Sequence, residues 1–331
     1  MSRTYSFVKK TGRDKHWDVL AKELAQILDK NGTIPSRYLR EVSCVVCESP
    51  SYLPAFKKEG FQFVKCTGCG LLYVNPQLDP AQLIDHYRSG LSSDSWVEVL
   101  MSEEEQRWSR ENKFGRVIKD LNTLFPPRGK ILDIGCSIGL FLKMAKDEGW
   151  QPFGLEINTK AVAYAKEHFG LEIEGKLLHE VDYPDKCFTV ISMWGVLEHL
   201  AEPRSVLAHV YRLLDDNGVF VVFVPNGHSL STRIMHEHSS TFSGRNHLWY
   251  FTPHTLTRFL ESQGFEVFDY YTLLSQLEEI THFLRYQDPY LSKGDKADEF
   301  ELPHGLEHTI EDFILTHHLG YKLVAYARKK P

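Results

Sequence analysis

The sequence predicts an α/β protein built on an open, mostly parallel sheet with helices on both faces. Two local features and one long pattern predict it. The first is Lys130–Leu142, KILDIGCSIGLFL, a short apolar strand that runs through an acid and two glycines into an apolar helix. Strands that turn through glycines bring backbone close to a ligand and aim helix N-terminal N–H groups at it. The second is a strand over 151–156 that ends at Glu156. It lies roughly 20 residues past the glycines, where a carboxylate can take two ribose hydroxyls. The third is the alternation that follows. Strand-like runs near 171–174, 188–193, 218–225, 265–272 and 321–328 interleave with helical patterns near 140–148, 159–168, 203–214, 254–262 and 305–317.

Bulk properties narrow the function classes. The chain has 331 residues and a net charge of -6, length enough for two domains and a real core. A mildly negative balance argues against broad affinity for a nucleic-acid backbone, which needs clustered cations. The first ten residues, MSRTYSFVKK, lack the apolar core of a signal peptide, and no apolar run reaches membrane-spanning length. Six cysteines without an export signal point to a reducing compartment, so a cytoplasmic location is expected, with metal or free thiols rather than disulfides.

Residues 1–15 read as a loose basic arm carrying Lys9, Lys10, Arg13 and Lys15. Trp17, Leu20, Leu24, Ile27 and Leu28 recur at helical spacing, which predicts an amphipathic helix over 14–30 stopped by Asn31-Gly32. Two C-x-x-C knuckles follow, Cys44–Cys47 and Cys66–Cys69, separated by eighteen residues. Four thiolates at this spacing surround one Zn²⁺ tetrahedrally, and four protein ligands make a closed, structural site. Phe61, Phe63, Leu71 and Tyr73 between and beside the knuckles read as short strands with a small core. Helices are expected over 79–89 and 103–124, with Ser92-Ser93-Asp94 as a mobile loop between them. The predicted organisation is an N-terminal helical extension (1–39), a zinc ribbon (40–78), a helical linker or lid (79–127) and a nucleotide-binding α/β domain (128–331). Residues 273–304, rich in charge and carrying Pro289, Gly294 and Pro303, read as an insertion.

Beyond the D-x-G-C-x-x-G turn and Glu156, three later segments follow in order: Cys187–Leu200 (CFTVISMWGVLEHL), Leu213–Asn226 (LLDDNGVFVVFVPN) and His247–Val267 (HLWYFTPHTLTRFLESQGFEV). Over about residues 128–331 the chain resembles the class I S-adenosylmethionine-dependent methyltransferases. The resemblance implies a Rossmann-like seven-stranded sheet and a donor site. Asp133, Gly135, Cys136 and Gly139 would hold the methionine end, and Glu156 and Ile157 the ribose and adenine. Gly175–Leu178 would add adenine contacts, and Met193 and Trp194 would face the sulfonium, Trp194 being equally readable as core. Ser137 stands where the family's middle glycine is usual. A zinc ribbon ahead of such a core resembles bacterial sugar and natural-product methyltransferases, where the ribbon helps build the substrate side.

Histidines cluster after the fourth and fifth strands: His199, His228, His236, His238, His247 and His254. Imidazole is the side chain best poised to take a proton near neutral pH. Asn246–Thr252 resembles the E-H-x-x-Y-F-S stretch of sugar C-methyltransferases, which makes His247 the favoured base. Asn246 in place of the Glu, and the absence of those enzymes' long C-terminal domain, favour O-methylation. Glu198-His199 resembles part of the E-x-x-E-H that binds Mg²⁺ in quinone-pathway O-methyltransferases. Gly195 stands at the first Glu position, so His199 is expected to shape the pocket rather than hold a metal. His236 and His238 are expected on a lid. The expected acceptor is a small molecule or glycan, such as a nucleotide sugar, methylated on a sugar hydroxyl. The alternatives are an RNA or protein acceptor, sugar C-methylation, or a non-catalytic S-adenosylmethionine-binding protein.

Overall fold

The computed structural model describes residues 10–286 and 305–331. Helix α1 (Arg13–Ile27) starts inside the expected loose arm, because Arg13 is tied to Glu105 at 2.7 Å. Lys9 lies outside the described residues. The apolar spacing misidentifies the helix's inner face. Trp17 is half exposed, whereas His16 and Glu23 are buried. Glu23 faces inward because it is satisfied there: it accepts from Ser92 Oγ (2.5 Å) and pairs with Arg245 (3.1 Å).

The cysteine-bearing segment follows. Strands β1 (Leu39–Arg40), β2 (Tyr52–Lys58), β3 (Phe61–Cys66), β4 (Leu72–Val74) and β5 (Gln77–Leu78) are short and antiparallel. Each C-x-x-C turn is closed by a backbone hydrogen bond, Glu48 N to Cys44 O and Gly70 N to Cys66 O. Gly70 takes φ +78°, which a side chain resists. The turns bring Cys44 Sγ to 3.4 Å from Cys69 Sγ and Cys47 Sγ to 3.5 Å from Cys66 Sγ.

Helices α2 (Pro80–Ser89) and α3 (Leu91–Met101) come next. Asp79 caps α2 by accepting from Ala81 N. The expected loop at Ser92–Asp94 is instead the first turn of α3. Its polar side chains have buried partners, Ser92 with Glu23, and Ser93 and Asp94 with Asn158. The single helix expected over 103–124 is broken. Helix α4 (Glu103–Ser109) widens into a π turn (Arg110–Phe114) before α5 (Gly115–Leu124). The turn buries Phe114 with Val117, Ile118 and Leu121 but leaves Trp108 only half-buried.

The large sheet is built from β6 (Lys130–Ile134), β7 (Gln151–Leu155), β8 (Ile173–Glu174), β9 (Phe188–Trp194), β10 (Leu214–Pro225), β12 (Phe265–Leu273) and β13 (Lys322–Lys329), ordered β12-β13-β10-β9-β6-β7-β8. Only β13 runs against the rest. Helices α6 (Leu140–Asp147), α7 (Thr159–Phe169), α8 (Pro203–Leu213), α9 (Leu230–Met235), α10 (Pro253–Ser262), α11 (Leu277–Tyr286) and α12 (Leu306–Thr316) complete the described elements. The third strand is shorter than expected, and β10 starts earlier, at Leu214, with an irregular register before Val219. Along β9 and β10 alternate side chains enter two cores: Ile191, Met193, Phe220 and Val222 in one, Val190, Trp194, Val221 and Phe223 in the other. Part of the expected insertion is α11, and 287–304 lies outside the described residues. All six cysteines are free, and no described helix is long and apolar enough to cross a membrane.

One short strand joins the two sheets. Strand β11 (Trp249–Tyr250) pairs antiparallel with β4, adding a fourth strand to the cysteine-bearing sheet from far along the chain. Phe242 seals the joint. Its ring lies 5.1 Å from Phe56, 5.8 Å from Phe63 and 5.0 Å from Tyr250, and it is 4% exposed. Phe242→Ala should cost about 3–5 kcal/mol by emptying this junction. Urea unfolding of the variant against wild type measures it.

Candidate active site

Asp133 ends the strand that leads into the glycine turn, and it is 1% exposed. One carboxylate oxygen accepts from Ser192 Oγ at 2.7 Å, while Oδ2 is buried with no partner. Burial pushes its pKa up to about 7 against the Ser192 hydrogen bond. Gly135 sits at φ +69°, and a Cβ there would meet Val196 Cγ2 at 2.6 Å, so this turn has room only for glycine. Gly139, at φ +75°, leads into α6. Ser137, at the usual glycine position, also takes a left-handed φ of +50°, a conformation costing roughly 1 kcal/mol. Its N–H is held by Glu156 Oε2 at 2.9 Å, and Asn158 N–H by Oε1 at 2.8 Å. Burial raises the Glu156 pKa despite those amides. Ile157 is half-buried beside it. Asn158 reaches Asp94 (2.8 Å), so α3 closes the edge of this cleft.

Two expected contacts differ. Cys136 packs against Gly154, where an added Cβ would meet its sulfur at 2.9 Å, so the thiol is core. Met193 points into the opposite core from Trp194, because adjacent strand residues face opposite ways. Trp194 stands on the Asp133 side in an aromatic cluster with Phe114 (4.7 Å), Phe141 (4.9 Å) and Phe223 (5.6 Å), its Nε1 unpartnered.

Past Trp194 the chain turns at Gly195 into a short 3₁₀ turn, Leu197–His199. His199 Nδ1 donates to the Asn246 carbonyl, and Tyr87 Oη lies 2.7 Å from the same nitrogen. The Tyr87 hydroxyl donates to that carbonyl too, at 3.2 Å. His247 Nδ1 donates to the Thr241 carbonyl at 3.1 Å. With both Nδ1 protons committed to carbonyls, each Nε2 keeps a free lone pair. The rings lie 4.9 Å apart. Glu198 is 1% exposed, with Oε1 3.8 Å from His199 Nε2 and Oε2 unpartnered. Ligand atoms of Glu198, His199 and His247 lie within 4.8 Å of one another. Burial lowers the pKa of both histidines, and that of His247 falls well below 6.5, helped by His199 and Lys322.

Strand β11 puts His247 here. Leu248 N–H donates to Glu198 O, and Leu248 O accepts from Val74 N–H, so the residue after His247 is held between the 3₁₀ turn and β4. His228, His236, His238 and His254 are exposed and stay apart from this pair. Tyr87 and Glu198 complete the cluster: Tyr87 carries no local signal of its partners, and Glu198 reads in the sequence only as part of an incomplete metal motif.

Residues 109–270 match the family described as a methyltransferase domain. This part of the chain has the Rossmann-like fold of the class I methyltransferases. It is 30% identical over 147 residues to a Mycolicibacterium smegmatis protein named "Probable S-adenosylmethionine-dependent methyltransferase", covering 42% of this chain and 52% of that one. It is 29% identical over 133 residues to the ubiquinone biosynthesis O-methyltransferase of Thiobacillus denitrificans, covering 35% of this chain and 57% of that one. The chain thus spans about half the length of these relatives. The fold matches magnesium protoporphyrin IX methyltransferase from Synechocystis PCC 6803, solved with bound SAH, at a TM-score of 0.50 and 14% identity over 76% of this chain and 100% of that one.

The methyltransferase domain's own residues fit a sulfonium donor carrying an ammonium group. Asp133 Oδ2 is a buried acceptor without a donor, the Gly135 turn has no room for a side chain, and Trp194 adds an aromatic face nearby. Without a cation beside it, the ionised Asp133 is a liability. Its folded pKa stands above the unfolded one, so the folded state holds the proton longer, and this group's contribution to stability falls as pH rises between about 4 and about 7. Asp133→Asn should therefore stabilise the free protein by up to about 4 kcal/mol near pH 8, with the gain vanishing near pH 4. Denaturant unfolding at the two pH values checks the sign. Calorimetry should show S-adenosylhomocysteine binding weakened by about ten-fold or more in the same variant.

Proposed function

We propose that the chain methylates a hydroxyl of a small molecule, in the first instance a sugar or glycan, using S-adenosylmethionine. The donor supplies the activated group: as the acceptor oxygen bonds the methyl carbon, the carbon–sulfur bond breaks and its electron pair stays on sulfur. The chain's residues align and deprotonate. Asp133, the Gly135–Gly139 turn and Glu156, with Ile157 beside it, hold the donor at one end of β9. His247 Nε2 takes the hydroxyl proton as the new bond forms. Thr241 fixes its tautomer, and Glu198 supports the imidazolium charge through the His199 side of the cluster. The single observation that carries the reading is the convergence of His199, His247 and the buried Glu198 carboxylate just past Trp194, with both Nδ1 atoms held by carbonyls. That relatives are named O-methyltransferases supports oxygen as the nucleophile.

His247→Ala should bind S-adenosylhomocysteine as wild type does and lose about 10²-fold or more in turnover. Because burial keeps His247 neutral well below pH 6.5, wild-type turnover should stay level across neutral pH and fall only in acid. A methyl-transfer assay over a panel of sugars, nucleotide sugars and phenols, run across pH, tests both points. Unchanged turnover in the variant removes His247 as base.

A second reading has its own observation. Glu198, His199 and His247 offer one oxygen and two nitrogen ligands within 4.8 Å, a set that suits a divalent cation with open positions. Loss of activity on chelation, restored by added Mn²⁺ or Zn²⁺, would make His247 a ligand rather than a base.

For the cysteine cluster we read one structural zinc ion held by Cys44, Cys47, Cys66 and Cys69. Four converging sulfurs support it, and four protein ligands leave no position for substrate. Metal analysis should find one zinc per chain. Cys66→Ser should lose it and, because β4 carries β11, should depress turnover along with stability; full activity in a zinc-free variant would refute the link.

A further inference from the structure

Two lysines near the reacting groups are set over aromatic rings and lack the carboxylate partners that several other lysines have. Lys143, Lys160, Lys176 and Lys186 each pair with a carboxylate. Lys113 and Lys322 have no carboxylate within ion-pair distance among the described residues. Lys113 comes from the π turn, and its Nζ lies 4.8 Å from the Phe114 ring centre, 5.5 Å from Trp194 and 4.7 Å from Phe223. Lys322 opens β13 opposite Pro225, and its Nζ lies 5.6 Å from the Phe223 ring and 4.3 Å from Tyr321. Both ammonium groups thus lean on one ring, Phe223, which itself touches Trp194.

We propose that Lys113 and Lys322 form an oxyanion-binding subsite beside His199 and His247, so that the acceptor carries a carboxylate or phosphate close to the hydroxyl that is methylated. The inference rests on the methyl-transfer reading above and names its acceptor class. Its physical basis is like-charge crowding. Two half-buried cations over a shared aromatic floor repel each other, and an aromatic face offsets only part of that cost. The crowding is felt by both neighbours. Burial and then Lys322 bring the Lys113 pKa down to about 8, and Lys322 also depresses both histidines. An oxyanion bridging the two ammonium groups relieves the repulsion and makes charge-assisted hydrogen bonds in a partly desolvated setting. The π turn is the device that brings Lys113 round to this face, since a regular helix through 103–124 would set it elsewhere.

The test uses the full chain saturated with S-adenosylhomocysteine and needs no turnover. Calorimetric titrations are run with inorganic phosphate, inorganic pyrophosphate and benzoate. The expected result is binding of at least one probe, weakened by added salt and weakened about ten-fold or more in Lys113→Met and in Lys322→Met, whose stems still cover Phe223. Lys322→Arg should restore it. Tighter phosphates indicate a phosphorylated acceptor, and tighter benzoate a carboxylated one. No binding of any probe, or binding indifferent to the substitutions, overturns the proposal. So does a loss of S-adenosylhomocysteine affinity in place of probe affinity, which would assign the lysines to the donor's own carboxylate. Circular dichroism on each variant separates misfolding from lost binding, and the wild-type titration stands without any variant. Methyl transfer to neutral acceptors alone would leave the parent reading intact while sinking this one.

Discussion

The candidate site depends on a two-residue strand pairing. Trp249 and Tyr250 join β4 of the cysteine-bearing sheet, and Leu248 is clamped between Val74 and Glu198 by backbone hydrogen bonds. That clamp fixes where His247 points. It also fixes Asn246, whose carbonyl holds His199, so one short strand sets the tautomer of one imidazole and the position of the other. Around it, Tyr73 stacks on Trp249 at 5.6 Å, and Trp249 Nε1 donates to Leu200 O. Backbone pairing is a good choice of fastener here. It is insensitive to side-chain identity and, buried under Phe242 and Tyr250, is shielded from competing water.

The parts of this arrangement that the sequence makes legible are those made by neighbours in the chain. Asp133, Gly135, Gly139 and Glu156 sit within one strand–turn–helix–strand unit, and their spacing alone predicts the turn's geometry. The four cysteines are legible for the same reason: each knuckle is a local turn. What the sequence hides is made by distant partners. Tyr87 gives no sign that it will meet His199, and the polar Ser92–Asp94 run carries every mark of a loop. It becomes a helix because Glu23 and Asn158 supply its hydrogen bonds. Glu23 misleads in the same way, since a carboxylate on a helix's inner face is invisible until its guanidinium partner, Arg245, is known. The π turn is likewise silent, because the stretch is only about two to three turns long on either side and the phase step it introduces is masked by the apolar residues flanking it.

Glycines illustrate the difference between a motif and its reason. Gly135 is needed because Val196, from the loop after β9, fills the space a Cβ would take. The donor turn and the 3₁₀ turn bearing Glu198 and His199 are therefore packed directly on each other. Ser137 tolerates a left-handed backbone only because Glu156 holds its N–H. Replacing the usual glycine at that point thus binds the loop's conformation more tightly to the carboxylate that ends β7.

Electrostatics divides the cleft at Trp194. On one side stand two acids, Asp133 and Glu156, both pushed by burial toward keeping their protons. On the other stand His199, His247 and Lys113, all pushed toward losing theirs. Burial penalises charge of either sign, so each group drifts toward neutrality when nothing is bound. Lys113, set over the rings of Phe114, Trp194 and Phe223, links the halves: it lowers the Asp133 pKa and Asp133 raises its own, but burial outweighs both. What relieves the first half further is a cation, and what relieves the second is an anion. A cationic methyl donor and a negatively charged acceptor, the pair proposed above, would meet both demands at once.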